Sequence, residues 1–177
     1  LFEKSGNPGK AAEVREKVGE VEKAAQLYAE AGDPVKAGEI LMEAGNLAEA
    51  IRILQKAWGQ GNRLPSLRNA LGLAFLRRGN FEQAYDQYLK FLIEEAVSTD
   101  NLETKYELAC SFESRGQYEQ ALKLFKELSA YDLDFKDVQD RQDNLIATVA
   151  NSKNDNATTM PHQFAPGMVI ANRYVIK

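Results

Sequence analysis

The pattern that most restricts the fold of this chain is a glycine followed five positions later by an alanine. Gly6–Ala11, Gly19–Ala24, Gly32–Ala37 and Gly45–Ala50 follow one another every 13 residues. Gly79–Ala84 comes 34 residues later, and Gly116–Ala121 another 37. Recurrence at such intervals marks one supersecondary unit used repeatedly. The 13-residue interval holds one helix of about three turns plus a turn. Glycine supplies the left-handed conformation that ends a helix. Asn7, Asp33, Asn46 and Asn80 then stand where the next helix needs an N-cap.

The longer intervals hold two helices each. Leu67, Leu71, Ala74 and Phe75 follow helical spacing, as do Phe81, Ala84, Tyr85, Tyr88 and Leu92. Leu108, Ala109 and Phe112 repeat the first set; Tyr118, Ala121, Phe125 and Leu128 repeat the second. Gly72, Ala84, Ala109 and Ala121 are small, which lets paired helices approach closely. Each pair retains an apolar face that only the next pair can cover, so the pairs must stack. The expected fold is all-α: a solenoid of antiparallel helix pairs over residues 1–150, with short helices over 1–45 and helix pairs over 46–130. A last helix over 134–150, N-capped by Asp134, closes the open end with Phe135, Val138, Leu145, Ile146 and Val149 on its apolar face. A polar linker is expected over 151–166. Residues 167–177, rich in strand-forming side chains, form an extended tail with no partner strand inside the chain.

Charge and composition exclude several functions. The net charge is -4 and the pI about 5.2, so the basic footprint of a nucleic-acid or anionic-lipid binder is missing. No stretch approaches the roughly 18 uncharged apolar residues of a membrane span. Cys110 is the single cysteine, which excludes an internal disulfide framework and suits a reducing, cytoplasmic setting. His162 is the single histidine and has no partner at metal-ligand spacing. No nucleophile stands beside a base. The Gly-Asn-Pro-Gly-Lys run at 6–10 lacks the order of a phosphate loop, so it reads as a helix-joining turn. No catalysis, metal or cofactor is expected within these residues. The chain begins with Leu1 in a phrase without signal-peptide layout, and is expected to be a piece of a longer protein.

The 34-residue interval and the order of the motif residues resemble the tetratricopeptide repeat. In residues 65–98, Leu71, Gly72 and Phe75, then Gly79, Phe81, Ala84 and Tyr88, stand at the family's motif positions. In residues 102–135 the set is Leu108, Ala109, Phe112, Gly116, Tyr118, Ala121 and Phe125. Arg68 and Lys105 depart from the pattern where the family often has tryptophan. Residues 31–64 resemble a degenerate member through Gly38, Leu41, Gly45, Leu47, Ala50 and Leu54. The shorter helices before it are more similar to the α-solenoids of coat and transport complexes.

The resemblance implies a right-handed superhelix whose first helices line a concave groove for a protein or peptide. Helical phase then puts Val35, Glu39 and Met42 in that groove, followed by Ser66, Asn69, Leu73 and Leu76, and by Glu103, Tyr106, Cys110 and Glu113. Glu103 and Glu107 take places where relatives that grip a terminal carboxylate carry basic residues. By like-charge repulsion a partner of basic or mixed polar–apolar character is expected instead. Exposed apolar faces at the solenoid ends allow self-association. The tail phrase Gly167, Ile170, Arg173, Tyr174 and Ile176 resembles the entry into a bacterial, eukaryotic-like Ser/Thr kinase domain. That resemblance implies an array that recruits partners for, or governs, a kinase beyond Lys177. The alternative is a coat- or transport-type subunit with no kinase attached.

Overall fold

The computed structural model describes residues 7–158, together with the backbone of two short strands at 169–170 and 174–175. Nine α-helices are described: α1 (Pro8–Lys17), α2 (Val21–Glu30), α3 (Pro34–Glu43), α4 (Leu47–Gly59), α5 (Pro65–Arg77), α6 (Phe81–Ala84), α7 (Leu102–Ser114), α8 (Tyr118–Tyr131) and α9 (Val138–Thr158). The short helix α6 runs on as a π-turn over Tyr85–Leu89 and a 3-10 turn over Lys90–Ile93.

One stop signal shapes nearly every hairpin. At the end of α2, Gly32 has φ 86°; its N–H donates to Ala29 and that of Asp33 to Tyr28. This is the pair of bonds that satisfies the last carbonyls of a helix when the residue after it turns left-handed. The same pair recurs after α1, α3, α4, α5 and α7. In most cases the residue after the glycine is already the N-cap of the next helix, so the chain reverses with no slack. The cap bonds differ from expectation. Asn7 and Asp33 accept from the N–H of Lys10 and Lys36 at 3.1 and 3.0 Å. Asn46 and Asn80 make no side-chain cap bond; the Asn46 amide instead donates to Glu22 at 2.8 Å.

Successive helices pack antiparallel, and each hairpin leans on the next. The α3, α5 and α7 helices also pack side by side as an inner row, with α2, α4, α6 and α8 outside. The core is therefore a continuous ribbon rather than a centre, the arrangement of an α-solenoid. Small residues set the spacing as the sequence predicts: Ala50, Ala84, Ala109 and Ala121 are fully buried. The two cations at the tryptophan positions are absorbed by carboxylates. Arg68 pairs with Glu95 at 2.5 Å, and Lys105, wholly buried, donates to Glu127 at 2.8 Å and to the Glu95 carbonyl.

Three expectations need correction. The helix expected over Phe81–Leu92 is regular only to Ala84, and the π-turn that follows adds one residue. The closing helix starts at Val138, not at Asp134, because residues 132–137 form turns that double back over α7 and α8; it continues to Thr158, through the first half of the expected linker. Val138 and Leu145 face inward, but Ile146 is exposed. Third, the tail segment does pair with itself: Val169 and Ile170 lie antiparallel to Val175 and Tyr174. His162, Gly167, Arg173 and Ile176 lie outside the described residues.

Candidate docking groove

Between α3, α5 and the start of α7 lies a cleft of about 520 Å³. Of the expected groove residues, Val35, Glu39, Met42, Ser66, Asn69, Leu73 and Glu103 line it, joined by Glu43, Ala70, Arg77, Thr99, Asp100 and Thr104. Thr99 and Asp100 escaped the sequence reading because they sit in the loop before α7, where helical phase has no meaning. Met42, Ala70 and Leu73 are buried in its lining, together with the polar Asn69 and Thr104.

Leu76, Tyr106, Cys110 and Glu113 do not line this cleft. Leu76 is buried in the core. The other three are covered by the 132–137 turns and α9. The Tyr106 ring packs edge-on against Phe125 and Phe135, with centroids 6.1 and 5.7 Å away, and its hydroxyl donates to Asp137. Lys136, at φ 51°, places its Nζ 4.2 Å from the Tyr106 ring centroid and 2.7 Å from Glu103. Arg141 reaches Glu113 at 2.5 Å and Asp137 at 2.8 Å. Burial, reinforced by the bond to Asp137, raises the Tyr106 hydroxyl well above its ordinary value. The same bond, with Arg141, holds the Asp137 carboxyl below its own. Burial pushes the Cys110 thiol up, which disfavours the thiolate a nucleophile requires.

Glu103 and Glu107 are both paired within the chain. Glu103 is held by Arg77 at 2.7 Å as well as by Lys136, and Glu107 lies 3.6 Å from Arg77. Their charges are met inside the chain and do not repel an incoming carboxylate as free ones would. Of the carboxylates that line the cleft, Glu39, Glu43 and Asp100 make no side-chain hydrogen bond or ion pair with the described residues. Partial burial raises the Glu39 carboxyl above its ordinary value; Lys36 opposes this, and Asp33 and Glu43 add to it. No described helix is long and apolar enough to cross a membrane. Among the described residues, no three His, Cys, Asp or Glu side chains are grouped to hold a metal ion.

No curated protein and no solved structure matches this chain. Two family models do, both described as tetratricopeptide repeat: one over residues 35–100, spanning α3 to the loop before α7, and one over 106–141, spanning α7, α8 and the start of α9. The first match begins at Val35, a lining residue of the cleft, and the second ends at Arg141, which pairs with Glu113 and Asp137. Together they span more than half of the chain, which belongs to the tetratricopeptide-repeat family.

Proposed function

We propose that this chain is a non-catalytic interaction module whose inner row of helices docks an extended segment or helix of a partner protein. Tetratricopeptide repeats bind protein partners, and a groove whose lining mixes apolar and polar side chains suits a peptide whose alternate side chains are buried. The observation that carries the reading is the cleft between α3, α5 and α7, with Met42, Ala70 and Leu73 buried in its lining. Selection of random 12-residue peptides displayed against the chain tests it. Enriched peptides are expected to lose binding when Ser66, at the cleft wall, is changed to Trp. Peptides indifferent to that change, or no enrichment at all, would remove the groove from consideration.

In the parent protein the array recruits substrates for, or restrains, a Ser/Thr kinase. Support comes from the phrase Gly167, Ile170, Arg173, Tyr174 and Ile176. Reading the coding sequence beyond Lys177 decides it: a Gly-rich loop within about one strand length is expected. The ten-residue helices α1, α2 and α3 favour the other reading, a coat- or transport-type subunit. That reading requires similar helices or a β-propeller upstream and no kinase downstream.

A further inference from the structure

The turns between α8 and α9 lie against α7 and end at the cleft. Glu103 is the joint: it lines the cleft, and Lys136 pairs with it at 2.7 Å. Tyr106 and Cys110 follow on the same face of α7, at helical spacing. Three consecutive residues of the turns hold Tyr106. Phe135 packs edge-on with its centroid 5.7 Å away, the Lys136 ammonium stands 4.2 Å from the ring centroid, and Asp137 accepts from the hydroxyl. Ring edge, ring face and hydroxyl of one tyrosine are thus all engaged, as a bound peptide would engage them.

Away from these contacts the segment is held lightly. Asp132, Leu133, Asp134 and Lys136 are exposed, and the apolar Leu133 is 56% exposed. Among the described residues no backbone hydrogen bond joins the segment to α7. Its own backbone bonds are long: 3.4 Å from Phe135 to Asp132 and 3.3 Å from Val138 to Phe135. Lys136 has φ 51°, in the left-handed region that residues other than glycine seldom enter. By contrast, α9 has anchors of its own. Val138 and Leu145 are buried, Gln142 meets Ser129 at 2.6 Å and Arg141 meets Glu113 at 2.5 Å. A segment with few buried contacts between two fixed ends opens locally while the rest stays folded.

We propose that Phe135, Lys136 and Asp137 form a latch over Tyr106, an internal stand-in for a partner, and that a partner segment with an aromatic residue followed by a basic one replaces it. With the latch raised, the groove continues from Glu103 along α7 past Tyr106 to Cys110. The guest's cation meets Glu103 and the Tyr106 ring face as Lys136 does, and its aromatic ring meets Tyr106 as Phe135 does. Latch and guest compete for one place, so apparent affinity is reduced by the fraction of chains in which the latch is raised. The inference rests on the groove reading and adds to it an internal competitor and the chemistry of the guest.

Three measurements on the whole chain test it. The first uses a fluorescent peptide, Leu-Asp-Phe-Lys-Asp-Val, which is the chain's own residues 133–138. Its anisotropy is read against the parent and against a variant combining Phe135→Ser with Lys136→Ser. The variant is expected to bind about tenfold more tightly or better, because its own latch no longer competes. Adding Glu103→Gln should remove most of that gain. Equal binding to parent and variant, or no binding to the variant, overturns the latch.

The second follows Cys110, the single cysteine, half-buried one turn from Tyr106. Lys136→Gln leaves Phe135 in place, so it reports even if the double variant does not fold. It removes one exposed ion pair and one cation–π contact, and should speed reaction of the thiol with a disulfide reagent about three- to tenfold. An unchanged rate overturns the latch.

The third separates latch from groove. Peptides selected as above are expected to bind Lys136→Gln more tightly than the parent. Peptides that Ser66→Trp blocks but that bind parent and Lys136→Gln alike overturn the latch and leave the groove standing. Selected peptides that Ser66→Trp does not block, together with the expected gain for the 133–138 peptide, remove the cleft and leave the latch.

Discussion

Leu89 fills the hollow that Gly72 leaves on α5. A Cβ added at Gly72 would overlap the Leu89 side chain, which is fully buried and has no room to retreat. Gly38 and Leu54 form the same relationship one repeat earlier, with a Cβ 2.8 Å from Leu54. Leu54 follows its repeat alanine, Ala50, by four residues; Leu89 follows Ala84 by five. The π-turn over Tyr85–Leu89 absorbs the difference, since it holds one more residue per turn than an α-helix. Every inward position downstream is shifted by one. Leu92 is therefore 0% exposed, and Phe91, at the motif position that Leu128 fills with full burial in the next repeat, is 58% exposed.

Gly72→Ala is expected to destabilise the chain by about 1–3 kcal/mol through overpacking, although alanine is the better helix former by roughly 1 kcal/mol. Urea unfolding measures it. Combining the change with Leu89→Ala should cost less than the sum of the two single changes, because each relieves the other. Strict additivity would show that the two side chains do not share this space.

Deleting Asp86 should be tolerated. It is an exposed residue of the π-turn, and its removal lets α6 continue as a regular helix with Leu89 and Leu92 in the same inward places. A stability within about 1 kcal/mol of the parent is expected. Deleting Lys123, an exposed residue of the regular helix α8, should be far worse, since it turns Leu124, Phe125 and Leu128 out of the core. Equal losses from both deletions would contradict the shifted register.

Lys105 is 0% exposed and paired to Glu127. Glu127→Gln keeps the shape but leaves the buried ammonium with less compensation, and should cost about 1–3 kcal/mol. Lys105→Met, which removes the charge together with its need for a partner, should cost less than Lys105→Ala, which leaves a cavity as well. The order of the thermal midpoints checks this.

Two hydroxyl–carboxylate bonds make stability depend on pH in opposite directions. Tyr28 donates to Glu16 at 2.6 Å, which, with burial, pushes its hydroxyl up to about 12. A group raised in the folded state stabilises fully below its unfolded value, and the gain is lost as pH rises through the folded one. Stability should fall between about pH 10 and 12, and Tyr28→Phe should flatten that limb. Asp137 is lowered by its bond from Tyr106 and by Arg141. Its contribution is present above the ordinary carboxylate range and lost as pH falls through the depressed folded value, so Asp137→Asn should flatten the acid limb. Chemical unfolding across pH 2–12, about the range these groups span, reads both.

The sequence by itself determined the helical hairpins, their reversal at glycines, the stacking into a solenoid and most of the wall of the cleft. These are local matters: a helix stop needs one residue that tolerates positive φ, and an inward face needs apolar residues at helical spacing. Val35, Met42, Ser66, Asn69 and Leu73 were legible for that reason. Tertiary structure alone decided which of two adjacent apolar residues, Tyr88 or Leu89, enters the hollow at Gly72. Periodicity allows either; the choice depends on Tyr88 stacking on Phe75 and meeting Trp58, rings contributed by two other helices. Tertiary structure also closed the far end of the groove, where Lys136, Asp137 and Arg141 reach back to Glu103, Tyr106 and Glu113. Those partners lie about 28 to 33 positions apart in the chain, and no local pattern encodes a contact between side chains that meet only after the hairpins have stacked.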